Sequence, residues 1–199
     1  MTSARGLASH PQGLLKAAGL LGCAMLLASA CATKPFNVKP RRALPPGGFT
    51  GRASAGTLEL EAAAIRDEDF LSETFDANVI LAGLLPVKLS LQNGSSQPVD
   101  LTPARFWLRS SGKSEKPMEP RRVFKRLMRY YKIRLYNPEG YKEALGDLTS
   151  YDLNQRRPLA PGESRWGILF FEAPAAQPAT PQVLLVTGIG PGELRLKLD

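Results

Sequence analysis

Histidine and cysteine are nearly absent from this 199-residue chain: it has one histidine, His10, and two cysteines, Cys23 and Cys31. All three fall within the first 31 residues, so nothing from Ala32 onward carries an imidazole or a thiol. That stretch therefore holds no serine–histidine or cysteine–histidine nucleophile system, because no imidazole base is present to activate the nucleophile. It also holds no internal disulfide and no zinc site built on histidine or thiolate. Acids are scarce where bases crowd: between Arg105 and Arg134, eleven lysines and arginines face only Glu115 and Glu119. Apolar runs are short as well. Ala17 to Ala30 is apolar but has too few residues to cross a bilayer.

What is present at the start is a targeting pattern. Arg5 and Lys16 supply positive charge, no acid precedes Cys31, and the apolar run closes on Leu27-Ala28-Ser29-Ala30-Cys31. This segment resembles a bacterial lipoprotein signal, in which small residues precede a cysteine that is lipidated and becomes the mature N-terminus. Ala28 stands where that pattern usually has leucine. Leu20-Leu21-Gly22-Cys23 matches the local spelling better but leaves only Ala17 to Gly22 as an apolar region, which is too short. An ordinary secretory signal cut near Ala30, with Cys31 a free thiol, is the competing reading. The resemblance implies a signal at 1–30, lipid on Cys31 and attachment to a membrane. With Ala32 rather than aspartate after the cysteine, it implies an outer membrane, the protein facing the periplasm. From Cys31 onward the net charge is (26 − 2) − 18 = +6, because Arg5 and Lys16 are the only charged residues removed.

Residues 32–56 lack apolar periodicity and are rich in proline, glycine and bases, so they read as a flexible tether of at most roughly 80 Å. Lys39, Arg41 and Arg42 would favour anionic headgroups. From Thr57 the pattern turns regular. Leu58, Leu60 and Ala62 alternate with Glu59 and Glu61, and Val87, Leu89 and Leu91 alternate with Lys88, Ser90 and Gln92. That period of two marks strands with one buried and one wet face. Asn93-Gly94 signals a hairpin, so strands at about 85–92, 97–102 and 104–110 should form a meander. Pro86 should sit at an edge or a bulge. Residues 66–78 read as a polar loop plugged by Phe70, Leu71 and Phe75. Trp166, Ile168 and Phe170 lie in a strand apolar on both faces, read as central. Leu184 and Leu196 mark the last two strands.

Helical spacing of Val123, Leu127 and Tyr130 after Pro120 predicts a helix at about 119–131, and Tyr141, Leu145 and Leu148 a shorter one. About seven strands with a helical insertion at about 118–150 match an immunoglobulin-like β-sandwich over 57–199. LLPVKLSLQNGSSQPVDL, the insert and PLAPGESRWGILFF resemble the Ig-like domains of uncharacterised bacterial lipoproteins. That resemblance carries no catalytic residues to transfer.

Several motifs reduce to turns. Ser110-Ser111-Gly112-Lys113 has the serine-x-x-lysine spelling of penicillin-recognising enzymes but lacks their lysine-threonine-glycine partner. Gly188 to Gly192 lies between strands, whereas a phosphate cradle opens a helix. Asp67-Glu68-Asp69 lacks the glycine and spacing of a calcium loop. No cofactor or metal is expected.

The strongest functional signal is charge. Arg121, Lys125 and Arg129 share one helix face, with Arg122 and Arg126 beside it. Such a face serves either as a solvated surface or as a contact for an anionic envelope component or an acidic protein partner; the compartment argues against nucleic acid. The expected function is a membrane-anchored structural or interaction module rather than an enzyme. The alternative is a hydrolase or carbohydrate-active enzyme of the envelope using carboxylates alone, since paired carboxyl groups need no other residue type.

Overall fold

The structure, a computed structural model, describes residues 34–41, 43–173 and 182–198. The chain divides into two units, Met1–Thr33 and Lys34–Asp199, and all described residues belong to the second. The segment read as a signal, Cys23, Cys31, Arg42 and residues 174–181 lie outside the described residues.

The described part is mainly β. Strands β1 (Gly51–Ala55), β2 (Leu58–Ala64), β3 (Leu84–Asn93) and β6 (Ser164–Glu172) form one antiparallel sheet in the order β1-β2-β3-β6. Strands β4 (Arg105–Ser110), β5 (Lys113–Glu115), β7 (Val183–Thr187) and β8 (Leu194–Lys197) form the other, in the order β5-β4-β7-β8. Three helices are described: α1 (Glu68–Phe75), α2 (Pro120–Tyr130) and α3 (Pro138–Thr149).

The alternation in β2 and β3 explains the first core. Leu58, Leu60, Val87, Leu89 and Leu91 point to one side and meet Phe106, Leu108, Leu184 and Leu196 of the second sheet. A second core covers the opposite face of the first sheet. There Ile168 and Phe170 pack with Leu71 and Phe75 of α1, Val123, Phe124 and Leu127 of α2, and Ala144 and Leu148 of α3. The first sheet is thus buried on both faces. This is why β6 reads as apolar on two sides although it lies at the sheet edge, contrary to the expected central position. Its free edge is partly taken by Met118, whose N–H donates to the Phe170 carbonyl at 2.7 Å. Trp166, expected in the core, is only half-buried.

The expected meander is not formed. β3 pairs with β2 and β6, and β4 pairs with β5 and β7, so Asn93-Gly94 does not close a hairpin. The fully buried Asn93 amide instead donates to the carbonyls of Gln97, Leu159 and Ala160, and its Oδ1 accepts from Ser95. It anchors the crossing between sheets. Residues 97–102 contribute only a bridge, Val99 to Leu159. Pro86 lies inside β3, but its carbonyl accepts from Ile65 just past the end of β2. Its missing N–H therefore faces the side where the partner strand has stopped.

The tether is the largest correction. Its described part, from Lys34 on, is packed. Phe36 and Val38 are buried in the second core, and Gly51–Ala55 is strand β1, paired with β2. Lys88, expected on a wet face, is 1 % exposed because the 45–47 segment covers it. Its ammonium donates to the carbonyls of Pro45 (3.3 Å), Pro46 (2.8 Å) and Gly47. Arg41 does not reach out for headgroups either. Its guanidinium stacks 4.0 Å from the Trp166 ring centroid and donates to the carbonyls of Ser150, Asp152 and Trp166. Isolated apolar residues without a period gave no sign of this packing.

Candidate functional site: a cationic groove along α2

The helix that carries the charge forms where expected. Pro120 occupies its first turn, and Val123, Phe124, Leu127 and Met128 are buried at i, i+1, i+4 and i+5 spacing. Phe124 packs edge-on against Phe36 (5.5 Å) and Tyr141 (5.1 Å), which fixes the rotation of the helix. Arg121, Arg122, Lys125 and Arg129 are consequently exposed.

The exposed side of α2 forms one wall of a groove of about 520 Å³. Lys116 and Glu115 at the end of β5, Met118 and Glu172 at the end of β6 complete it. Arg122, Lys125, Arg126 and Arg129 line the helix side; Arg121 lies outside the lining. Five cations against two carboxylates leave the groove at +3 (5 − 2).

Arg126 is not a free member of this set. Its Nε donates to the Ala82 carbonyl and its Nη1 to Glu172, both at 2.9 Å. Gly83, at φ +74°, makes room for it: a Cβ there would stand 2.7 Å from the guanidinium. Arg126 is therefore a structural pin between α2, the 78–83 turn and β6. Among the described residues, Arg122, Lys125 and Arg129 have neither a salt-bridge nor a hydrogen-bond partner through their side chains. Lys116 is a member the helix periodicity did not point to; its ammonium sits 4.9 Å from the Trp107 ring centroid. Its place in the basic run Arg105–Arg134 was the only signal for it.

The acidic segment is not the counter-charge of α2. Asp67 caps α1 by accepting from the Phe70 N–H, Asp76 accepts from Asn37, and Glu73 pairs with Lys39 at 3.5 Å. Among the described residues no group of three metal-ligating side chains comes together.

A second groove, of about 340 Å³, is lined by Arg41, Arg157, Glu163, Arg165 and Trp166, among others. Its charges are used internally. Buried Arg165 donates to the carbonyls of Asn154, Arg157 and Pro158 and pairs with Glu163 at 3.0 Å. The Ala160 N–H, together with Arg165 and Arg157, holds the Glu163 carboxyl below the usual glutamate range. That direction is opposite to what a general acid of a glycosidase needs.

Ser110 and Lys113 face each other across the β4–β5 hairpin. Ser111 (φ 48°) and Gly112 (φ 76°) form its turn, with positive φ at both central positions as a twisted two-residue hairpin requires. The serine-x-x-lysine spelling is thus a turn. Gly188 to Gly192 likewise lies in the connection between antiparallel β7 and β8.

No family model and no curated protein matches the chain. A crystal structure of a functionally unknown protein from Listeria monocytogenes EGD-e is similar at a TM-score of 0.41 and 10 % identity, covering 82 % of this chain and 89 % of that one.

Proposed function

We propose that this chain is a lipid-anchored lipoprotein of the bacterial cell envelope, held by Cys31 in the outer membrane and facing the periplasm. It acts as a structural or interaction module, and its α2 groove receives anionic groups of an envelope component or an acidic protein partner. The observation that carries this reading is the set Lys116, Arg122, Lys125 and Arg129: four cations around one concavity, free of carboxylate partners among the described residues. Grooves that gather one sign of charge concentrate the opposite sign and speed encounter. The carboxylate-dependent hydrolase is the weaker reading: among the described residues Glu163 is the one carboxyl lining the second groove, and Arg157, Arg165 and the Ala160 N–H already engage it, so no facing pair of carboxyls is formed there.

We read the scaffold as immunoglobulin-like. In that fold the A, B and E strands share one sheet and C, F and G the other. Here β2-β3-β6 would be A-B-E and β4-β7-β8 would be C-F-G, with β5 as a C′ strand beside β4. The helices α2 and α3 then occupy the place of strand D, between β5 and β6. Strand β1 is an addition at the sheet edge.

The test is co-sedimentation of the mature protein with isolated peptidoglycan and with an acidic envelope extract, across a salt series. Binding should weaken as salt rises. Reversing Arg122, Lys125 and Arg129 to Glu should reduce it at least about tenfold, since each charge contributes on the order of 1 kcal/mol near an anionic surface. The melting temperature should not change. Binding that ignores both salt and the triple reversal contradicts the groove as the contact site.

A further inference from the structure

Exposed apolar side chains are not scattered over this domain. Of six large hydrophobic residues exposed among the described residues, five are Leu81, Tyr130, Tyr131, Leu135 and Tyr136. They collect around the C-terminal end of α2. Tyr130 and Tyr131 pack at 5.0 Å, and the Tyr131 hydroxyl accepts from the Asn78 N–H at 2.7 Å, in the turn that carries Leu81. Leu135, 89 % exposed, and Tyr136 follow in the α2–α3 connection. The helix ends with Lys132 at φ 55°, the Lys132 N–H bonding back to Arg129 and the Ile133 N–H to Met128. That closure turns Ile133 toward the second core and leaves Leu135 outside. Lys132 and Arg134 stand in the same turn, and among the described residues neither has a carboxylate partner.

The chain enters the domain at this same place. A Cβ on Gly140, in the first turn of α3, would lie 3.1–3.4 Å from Lys34, and Lys34 pairs with Glu143. Phe36 packs on Tyr131 at 5.8 Å, and Tyr136 on Tyr141 at 5.3 Å. Lys34 is three residues after Cys31, so the backbone of Cys31 can stand no more than about 11 Å from that of Lys34.

We propose that the α2–α3 turn is a membrane-docking surface, lying against the anionic phospholipid leaflet in which the lipid of Cys31 is inserted. This rests on the anchoring proposed above. Tyrosines with an apolar body and a polar tip, an outward leucine and two unpaired cations suit a headgroup interface. A tether this short makes even a weak surface contact effectively intramolecular. The partner groove on α2 then opens from the side of a helix whose end rests on the bilayer.

The experiment uses the full-length protein, matured in cells and purified from the membrane fraction. An environment-sensitive fluorophore is placed on Leu135→Cys and, separately, on Leu81→Cys. Ser96→Cys serves as the distant control: it follows β3, which runs ten residues, about 33 Å, away from Gly83. All three sites are exposed, and melting checks each fold. In vesicles of phosphatidylethanolamine and phosphatidylglycerol, the label at 135 and at 81 should shift to the blue and escape an aqueous quencher, while the label at 96 does neither. Lys132→Glu with Arg134→Glu should reduce the shift. Anchored protein with equally wet labels at all three positions overturns the docking surface and leaves the anchor standing. Wild-type protein found in the soluble fraction overturns the anchor and the docking surface together.

Discussion

Lys88 shows how a single residue departs from its pattern. Alternation with Val87 and Leu89 put it on the outer face of β3, which is correct, yet that face is roofed by the 45–47 segment. Burial pushes its ammonium below the usual lysine range, while three carbonyls hold the proton in place. Nothing local in 32–56 could reveal this, because a lysine's partners here are backbone oxygens, which every residue has. Arg41 was read as reaching for headgroups for the same reason, its partners being three carbonyls and a ring over a hundred residues away. Replacing Lys88 by Met keeps the apolar stem but strands those carbonyls. The expected loss is about 2–3 kcal/mol in denaturant unfolding, with faster proteolysis within 43–50. An unchanged midpoint and cleavage pattern would show that the roof does not depend on Lys88.

Among the elements, those with a strong period were legible and those set by pairing partners were not. α2 follows its predicted bounds to within a residue because Pro120, Val123 and Leu127 mark start and face together. α1 was read as a plugged loop, although Asp67 as a cap and Leu71 with Phe75 at i, i+4 spell a short helix. The Asn93-Gly94 signal misled because a buried amide with carbonyls to bind outweighs local turn preference. Of the candidate site, Arg122, Lys125 and Arg129 were read from helix geometry; Lys116 and the pinning of Arg126 depend on β5, β6 and the 78–83 turn meeting the helix. The end of α2 offers a further test. Lys132 closes the helix in the left-handed region, which costs a non-glycine residue about 1 kcal/mol. Lys132→Gly should therefore raise stability by roughly 0.5–1 kcal/mol in thermal unfolding. A lowered melting temperature would mean that the Lys132 side chain makes a stabilising contact greater than that strain.

At the scale of the whole molecule, two sheets, an outer helical layer and a packed N-terminal segment make one unit from Lys34 onward. The two-sheet, mainly β character was legible from alternation alone; the three-layered burial was not, because it needs the 34–55 segment that composition assigned to a tether. The consequence is functional. On the anchoring proposed at Cys31, a domain packed from Lys34 onward would be held within a few residues of its lipid instead of ranging tens of ångströms from it. The membrane setting and the docking of the α2–α3 turn depend on that anchor. The most direct measurement is the intact mass of the mature protein extracted from the membrane fraction. The expected result is a chain beginning at Cys31 with acyl groups attached, and its release into the soluble fraction by Cys31→Ser. An unmodified chain cut near Ala30, or a lipidated chain beginning at Cys23 and released by Cys23→Ser, would contradict it.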